Sequence, residues 1–297
     1  MKIALSILGL ALVSLFNAPA QVVTVKLSLP QDQFLPGETL PLSVQVTNNS
    51  GQTLHLGADP GWLKFSVESR DDSFVVMKND DPPVVGAFEL GSSEVATKRM
   101  DLAPYFVITH AGRYRVVATV HIPEWNTDVA SPPLKFDVID GAQLWSQDFG
   151  LPVSAGVTNQ APVVRKYILE EANYLRNQLR MYVLVSDQSG TRVFKAIAIG
   201  PTVSFSRPDA QLDRVSNLHV IHQSGAQSFI YSVVNPDGNI TKQEIYDYLG
   251  TRPRLGVNDA GDIVEQGGVR RPKSGEMPAV KAPDELPPPP APAPKKP

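Results

Sequence analysis

Hydrophobic residues in this chain recur with a period of two, and that period decides what the chain can fold into. Leu40, Leu42, Val44 and Val46 alternate with polar or small residues, as do Leu63, Phe65 and Val67, then Tyr114, Val116, Ala118 and Val120, then Leu134, Phe136 and Val138. Successive side chains on a strand point to opposite faces, so each ladder is a strand with one face buried and one face wet. An amphipathic helix would need a spacing near 3.6 and is excluded for these segments. Pro36-Gly37, Asn48-Asn49-Ser50-Gly51, Asp59-Pro60-Gly61 and Asp80-Asp81-Pro82-Pro83 punctuate the ladders as turns. The predicted fold class is therefore mainly β.

Residues 21–141 hold roughly seven or eight such strands, the number expected of an immunoglobulin-like sandwich. Ala111-Gly112-Arg113-Tyr114 opens a strong strand and resembles the approach to the tyrosine corner of immunoglobulin-like and fibronectin-like domains. Pro36-Gly37-Glu38 followed by Leu42 to Asn49 resembles the opening strands of bacterial immunoglobulin-like modules. The resemblance implies a β-sandwich in which the Tyr114 hydroxyl bonds back to the backbone, and it implies no activity.

Residues 142–162 contain proline and lack a clear pattern, so they read as a linker, with Leu144, Trp145 and Phe149 able to dock on a neighbouring surface. Val163 to Tyr182 fits two patterns. Val164, Ile168, Ala172, Leu175 and Leu179 make a helical stripe, while Arg165 to Leu169 makes a strand, and the β character of the segments downstream favours the strand. A weak repeat comes next: Asp187-Gln188-Ser189-Gly190, Asn235-Pro236-Asp237-Gly238 and Asn258-Asp259-Ala260-Gly261 each follow a strand and precede another. Asx favours the first position of a type I turn, and the closing glycine takes the left-handed conformation that preserves hairpin twist. Residues 163–272 are thus predicted to form a β-meander of propeller-blade-like hairpins, with too few strands to close a ring. The string from Ser204-Phe205-Ser206-Arg207-Pro208 through Leu212-Asp213-Arg214, Asn217 to Val220, Asn235 to Gly238, Arg252-Pro253-Arg254-Leu255 and Gly267 to Arg271 resembles a recurring family of secreted bacterial β-rich proteins. That resemblance implies a domain over residues 160–272 and no mechanism.

Both ends differ from the middle. Lys2, the 14-residue apolar run Ile3 to Phe16 and Ala18-Pro19-Ala20 form a signal-peptide pattern over residues 1–20. As a helix the run would span about 21 Å, short of the roughly 30 Å hydrocarbon core. Cleavage and export to a bacterial periplasm or the extracellular space are expected, with no stable membrane insertion afterwards. Residues 273–297 include nine prolines and end in a basic Pro-rich stretch, which predicts a disordered, partly polyproline II tail. Pro287, Pro290, Lys295 and Lys296 are its candidate docking residues for an envelope partner. The chain of 297 residues contains no cysteine, which excludes disulfides, thiolate metal sites, a cysteine nucleophile and a lipid-modified N-terminal cysteine. Its formal charge of −3 gives no whole-chain case for nucleic acid.

No nucleophile elbow, phosphate-binding glycine loop or His-Glu-x-x-His motif occurs. His219 and His222 look like a metal pair, but residues three apart on a strand face opposite ways, which predicts one imidazole in and one out. Asp71-Asp72, Asp80-Asp81 and Glu170-Glu171 read as diverging or solvated carboxylates, with Asp80-Asp81 a conceivable part of a calcium loop. Asn48-Asn49-Ser50 and Asn239-Ile240-Thr241 match the glycosylation pattern by chance in a bacterial chain. Arg270-Arg271-Pro272-Lys273 reads as a solvated domain boundary. Trp62 is assigned to the sandwich core. Trp125 and Trp145 are the candidate binding residues, because exposed rings in a secreted β protein can serve as platforms for sugars or protein partners. No cofactor is implied. These features favour a non-enzymatic exported binding or scaffolding protein acting on an envelope protein or glycan. A glycan-binding accessory or hydrolase of cell-wall or extracellular polysaccharide is the second reading, and a protease inhibitor a third.

Overall fold

The computed structural model describes residues 22–71, 74–84, 86–151, 163–175 and 178–272. The signal-like segment and the proline-rich segment, with Pro287, Pro290, Lys295 and Lys296, lie outside the described residues. The protein is mainly β, with twenty-one strands among the described residues. No helix among them is long and apolar enough to cross a membrane. The described residues divide into two compact units, one up to and including residue 198, the other from residue 199 to 272.

The first unit opens with β1 (Val23–Ser28), β2 (Gln33–Phe34), β3 (Pro41–Asn48), β4 (Leu54–Leu56), β5 (Leu63–Ser69), β6 (Phe88–Leu90), β7 (Val95–Asp101), β8 (Gly112–Ile122), β9 (Thr127–Ala130) and β10 (Leu134–Val138). One sheet runs β1-β3-β7 and another β2-β10-β8-β5, with β9 also on β8. The alternating residues of both sheets meet in one core: Val25, Leu42, Val44 and Val46 from the first, Phe65, Val67, Val116 and Ala118 from the second. Two anchors expected of this architecture are present. Trp62 is buried, donates from Nε1 to the Val84 carbonyl at 3.2 Å and meets Phe88 edge-on at 5.6 Å. The Tyr114 hydroxyl donates to the His110 carbonyl four residues upstream, and its ring stacks on Phe136. Asn48 is fully buried, with Nδ2 donating to the Gln52 and Leu90 carbonyls at 2.7 and 2.9 Å, so it ties β3 to a neighbouring turn and is closed to glycosylation.

Residues 142–150 are not a linker. They form β11 (Ala142–Gly150), which pairs antiparallel with β12 (Val164–Leu175), and β12 pairs with β13 (Gln178–Asp187), confirming strand over helix in this region. β14 (Val193–Pro201) completes the four-stranded sheet β11-β12-β13-β14. β11 escapes the periodicity argument because, of its nine residues, only Phe149 is buried, stacked on Tyr167 at 4.1 Å between centroids. Paired backbone, not a buried face, makes it a strand. The unit boundary accordingly falls within β14, some sixty residues after the end expected for the sandwich, and the meander proper starts at 199.

The second unit contains β15 (Asp209–Leu212), β16 (Leu218–Gln223), β17 (Ser228–Val234), β18 (Ile240–Asp247), β19 (Arg254–Val257), β20 (Ile263–Gln266) and β21 (Val269–Arg270). Five of these form the sheet β15-β16-β17-β18-β21, and β19-β20 is a separate ribbon.

Candidate functional site

The three Asx-x-x-Gly segments are hairpin turns as expected. Gly190, Gly238 and Gly261 have φ of +79°, +72° and +80°, and each donates its N–H to the carbonyl of the Asx residue three positions before. In the second and third turns the Asn Oδ1 also accepts the N–H of the residue after the glycine, at 2.8 Å. A fourth turn of the same design joins β15 to β16. Asp213 takes the Asx position, its Oδ1 accepts from Asn217 N at 2.8 Å, and Ser216 occupies the left-handed position at φ +66°. Serine in place of glycine is why the sequence pattern passes over it.

These turns fix strand polarity and with it two ends of the unit. The turns around Asp213, Asn235 and Asn258 lie at one end. At the other end lie the loop before β15, the turn between β16 and β17, the loop after β18 and the Gly267-Gly268 link, as the hydrogen bonds Val203 N to Gln223 O, Tyr248 N to Gln227 O and Gly268 N to Thr251 O require. Asp213, Asp237, Asp259 and Asp262, with Arg214, sit at the turn end, whereas Arg207, Arg252, Arg254, Arg270 and Arg271, with Asp209 and Asp247, sit at the loop end.

The β19-β20 ribbon lies over one face of the sheet. Leu255 and Ile263 pack on Ile221, Phe229, Tyr231, Val233 and Tyr246, and Asp209 Oδ2 accepts the Leu255 N–H at 2.8 Å. Polar bonds pin the same ribbon: Lys242 Nζ meets Glu265 at 2.8 Å and Glu244 at 3.2 Å, and stands 4.9 Å from the Tyr231 ring centroid. Burial, then the neighbouring Glu265 charge, push the Tyr231 phenol well above its usual range, so it stays protonated. Burial alone would lower the Lys242 ammonium, but its bonds to Glu265 and Glu244 outweigh that and raise it.

Where the ribbon meets the loop end, a cleft of about 700 Å³ opens, a size typical of small-molecule sites. Phe229 forms its buried wall, with the Arg252 guanidinium 5.3 Å over the ring. Arg207, Arg252 and Arg254 line it with a single carboxylate, Asp209, already engaged by the Leu255 amide. Three guanidiniums against one carboxylate leave a net +2, in a chain of net charge −3. Among the described residues none of the three arginines has an ion-pair partner. Gln223, Thr251 and Gln266 supply neutral polar groups. Two glycines make the wall possible: Gly267 (φ +76°) passes so close that a Cβ would lie 2.7 Å from the Arg252 carbonyl oxygen, and at Gly268 (φ +65°) a Cβ would lie 2.5 Å from Pro253 Cγ.

Beside the cleft, at the same end, three apolar side chains are turned outward. Phe205, two residues before Arg207, is 99% exposed and left-handed at φ +66°, and Tyr248 and Leu249 precede Thr251 at 41% and 66% exposure. A left-handed backbone costs a non-glycine residue about 1–2 kcal/mol, and an exposed phenylalanine recovers none of it by burial.

The histidine pair is resolved by the sheet. β16 runs without a bulge between His219 and His222, so the two imidazoles face opposite ways and cannot share an ion. Both are nevertheless buried, contrary to the expectation of one in and one out, because the ribbon covers one face and Gly200-Pro201 pass over the other. His219 Nδ1 lies 2.8 Å from the Tyr231 hydroxyl and Nε2 lies 3.5 Å from Asp213. His222 Nε2 lies 3.2 Å from the Pro201 carbonyl, and burial depresses its pKa to about 4.

The acidic pairs do not converge. Asp71 accepts from Arg113 through both N–H and Nε and is held below the usual carboxylate range by them, and Asp72 lies outside the described residues. Asp80 accepts the Asp81 N–H while Asp81 pairs with Lys78. Burial, then Asp140, raise the Glu170 carboxyl on β12. No cluster of three metal-ligating side chains occurs among the described residues. Arg270 and Arg271 pair with Glu244 and Asp247. Trp125 ends a short 3-10 turn held to β4 by Glu124, which accepts the His55 N–H at 2.6 Å, and is 37% exposed; Trp145 is half-buried on β11. Neither lines the arginine cleft. The first unit has its own concavity of about 940 Å³. Its carboxylates are already engaged: Glu38 accepts from Gln31 and Leu35, and Asp101 from Leu40 and Ala103.

No family model matches the chain, and no curated protein does. Among solved structures it is similar to Spo0M, the sporulation control protein of Bacillus subtilis, at 13% identity over 71% of this chain and 79% of that one, with a TM-score of 0.30. A superposition of that quality establishes neither a common fold nor a common role.

Proposed function

We propose that the chain is an exported, non-enzymatic binding protein of the bacterial envelope or extracellular space, whose second unit captures an anionic ligand in the arginine cleft. The observation that carries this reading is the convergence of Arg207, Arg252 and Arg254, without ion-pair partners among the described residues, around the Phe229 wall. Guanidinium groups offer paired donors that match a carboxylate or phosphate, and a charge-assisted bond of this kind is among the stronger polar contacts available. The Arg252 guanidinium is held over the ring before any ligand arrives, which lowers the entropy lost on binding. The signal-like segment supports export, and the net negative charge of the far end of the unit favours approach of an anion from the loop end.

Titration of the isotope-labelled mature protein with citrate at low salt tests this. The arginine Nε–H resonances of Arg207, Arg252 and Arg254 should move together and return as salt is added, while glycerol should move none of them. Shifts scattered over other residues, or none, would overturn the proposal.

A further inference from the structure

Resting on that reading, we infer that the ligand is an acidic polysaccharide chain, bound across the loop end of the second unit with its carboxylates on the cleft arginines and its sugar rings against Phe205 and Tyr248. The cleft accounts for the charge but not for what stands beside it. Phe205 and Tyr248 lie outside its lining and still face solvent, and Phe205 is held there on a left-handed backbone. Strain kept at an exposed aromatic points to a use for the ring. A free small acid that fills the cleft reaches neither residue. A polymer does, because it continues past the guanidiniums onto the rim.

The chemistry of the neutral groups favours a glycan over a lipid surface, the other polyanion that arginines and exposed apolar residues fit. Gln223 Nε2 donates to the Gly225 and Ala226 carbonyls, at 3.0 and 3.3 Å, so the group it has left to offer is its carbonyl oxygen, an acceptor. The phosphodiester of a lipid headgroup brings acceptors only, so a lipid surface meets that oxygen only through a hydroxyl-bearing headgroup, whereas every sugar ring of a glycan brings hydroxyls that donate as well as accept. Arginine forks meet the carboxylates of uronic-acid-type residues. Flat aromatic faces suit the apolar faces of pyranose rings, with the Tyr248 hydroxyl at the wet edge. The net negative turn end of the same unit disfavours the polymer there and favours its approach at the loop end.

The test is calorimetric titration of the full mature chain with an oligogalacturonate hexamer, with galacturonate monomer, with the methyl-esterified hexamer, and with vesicles of phosphatidylglycerol in phosphatidylcholine. The hexamer should bind at least tenfold more tightly than the monomer, and the ester should not bind. Arg252→Ala and Arg254→Ala should each weaken the hexamer by about tenfold or more. Phe205→Ala, at a fully exposed position where folding is unaffected, should weaken the hexamer several-fold while leaving the citrate-induced arginine shifts unchanged. Vesicle binding without hexamer binding, or a Phe205→Ala, Tyr248→Ala variant that binds the hexamer as the parent does, overturns the polysaccharide assignment and leaves the anion site standing. Failure of both hexamer and citrate to touch the arginines removes the anion site itself.

Discussion

His222 makes the stability of the second unit depend on pH in a defined window. Its side chain is 1% exposed, its Nε2–H donates to the Pro201 carbonyl, and its Nδ1 has no hydrogen-bond partner among the described residues. The neutral ring leaves only an unpaired acceptor at Nδ1, whereas a second proton would place a charged N–H there facing no acceptor, which costs more. Burial therefore lowers the pKa from 6.5 to about 4. As pH falls through 6.5 the unfolded chain takes up a proton that the folded chain refuses, so unfolding is favoured, and the loss saturates once the folded histidine also protonates near pH 4. The gap of about 2.5 units corresponds to about 3 kcal/mol in full, of which about 2 kcal/mol is already lost at pH 5. For a domain of this size that is a fall in Tm of roughly 10 °C.

Other groups titrate nearby, and the assay has to separate them. Glu38 and Glu170, both raised chiefly by burial, protonate first in the folded state and so oppose the histidine as pH falls. Asp213, Asp247 and Glu265 are lowered and act only at more acidic pH. Calorimetric scans of the full chain and of His222→Gln at pH 7 and pH 5 isolate the histidine by difference, because the carboxylate contributions cancel between the two proteins. Glutamine keeps a donor for Pro201 and cannot titrate. The variant starts lower at pH 7, by the lost packing of the ring, but should lose about 2 kcal/mol less than the parent between the two pH values. Equal losses in the two proteins would refute the argument that the buried ring is held neutral.

Two further substitutions test the hairpin and the cleft wall. Ser216→Gly places the residue used by the other three turns at φ +66°, and relief of about 1–2 kcal/mol of backbone strain, less up to about 1 kcal/mol of added unfolded-state entropy, should raise the second unit's Tm by a few degrees. Gly268→Ala drives a Cβ to 2.5 Å from Pro253 Cγ and 3.1 Å from the Asp247 carbonyl on a left-handed backbone, so it should destabilise the unit by more than about 1 kcal/mol and abolish citrate-induced shifts at Arg252 and Arg254 even in the molecules that remain folded.

One physical distinction separates the features that are legible in the sequence from those that are hidden. Period two marks strands that bury one face, so β3, β5, β8 and β10 are plain in the sequence, and β11 is hidden because it buries a single side chain, Phe149. Turn chemistry marks hairpins only where glycine fills the left-handed position, which reveals three turns and conceals the one closed by Ser216. The burial of both His219 and His222 depends on what covers each face of β16, and no property of β16 itself reports that. The cleft is the extreme case. Arg207 and Arg252 are 45 residues apart in sequence, and neither position is unusual alone. The usable sign was that Arg207-Pro208 and Arg252-Pro253-Arg254 stand at the starts of β15 and β19. Yet two strand starts meet only if the β19-β20 ribbon folds back over β15 and β16. That folding is driven by burial of Leu255 and Ile263 on a face whose aromatic residues come from β17 and β18. The arginines are thus brought together by the apolar packing of their neighbours, Leu255 next to Arg254 and Ile263 on the paired strand, and a substitution such as Leu255→Ala should disperse the anion site without touching a single charge.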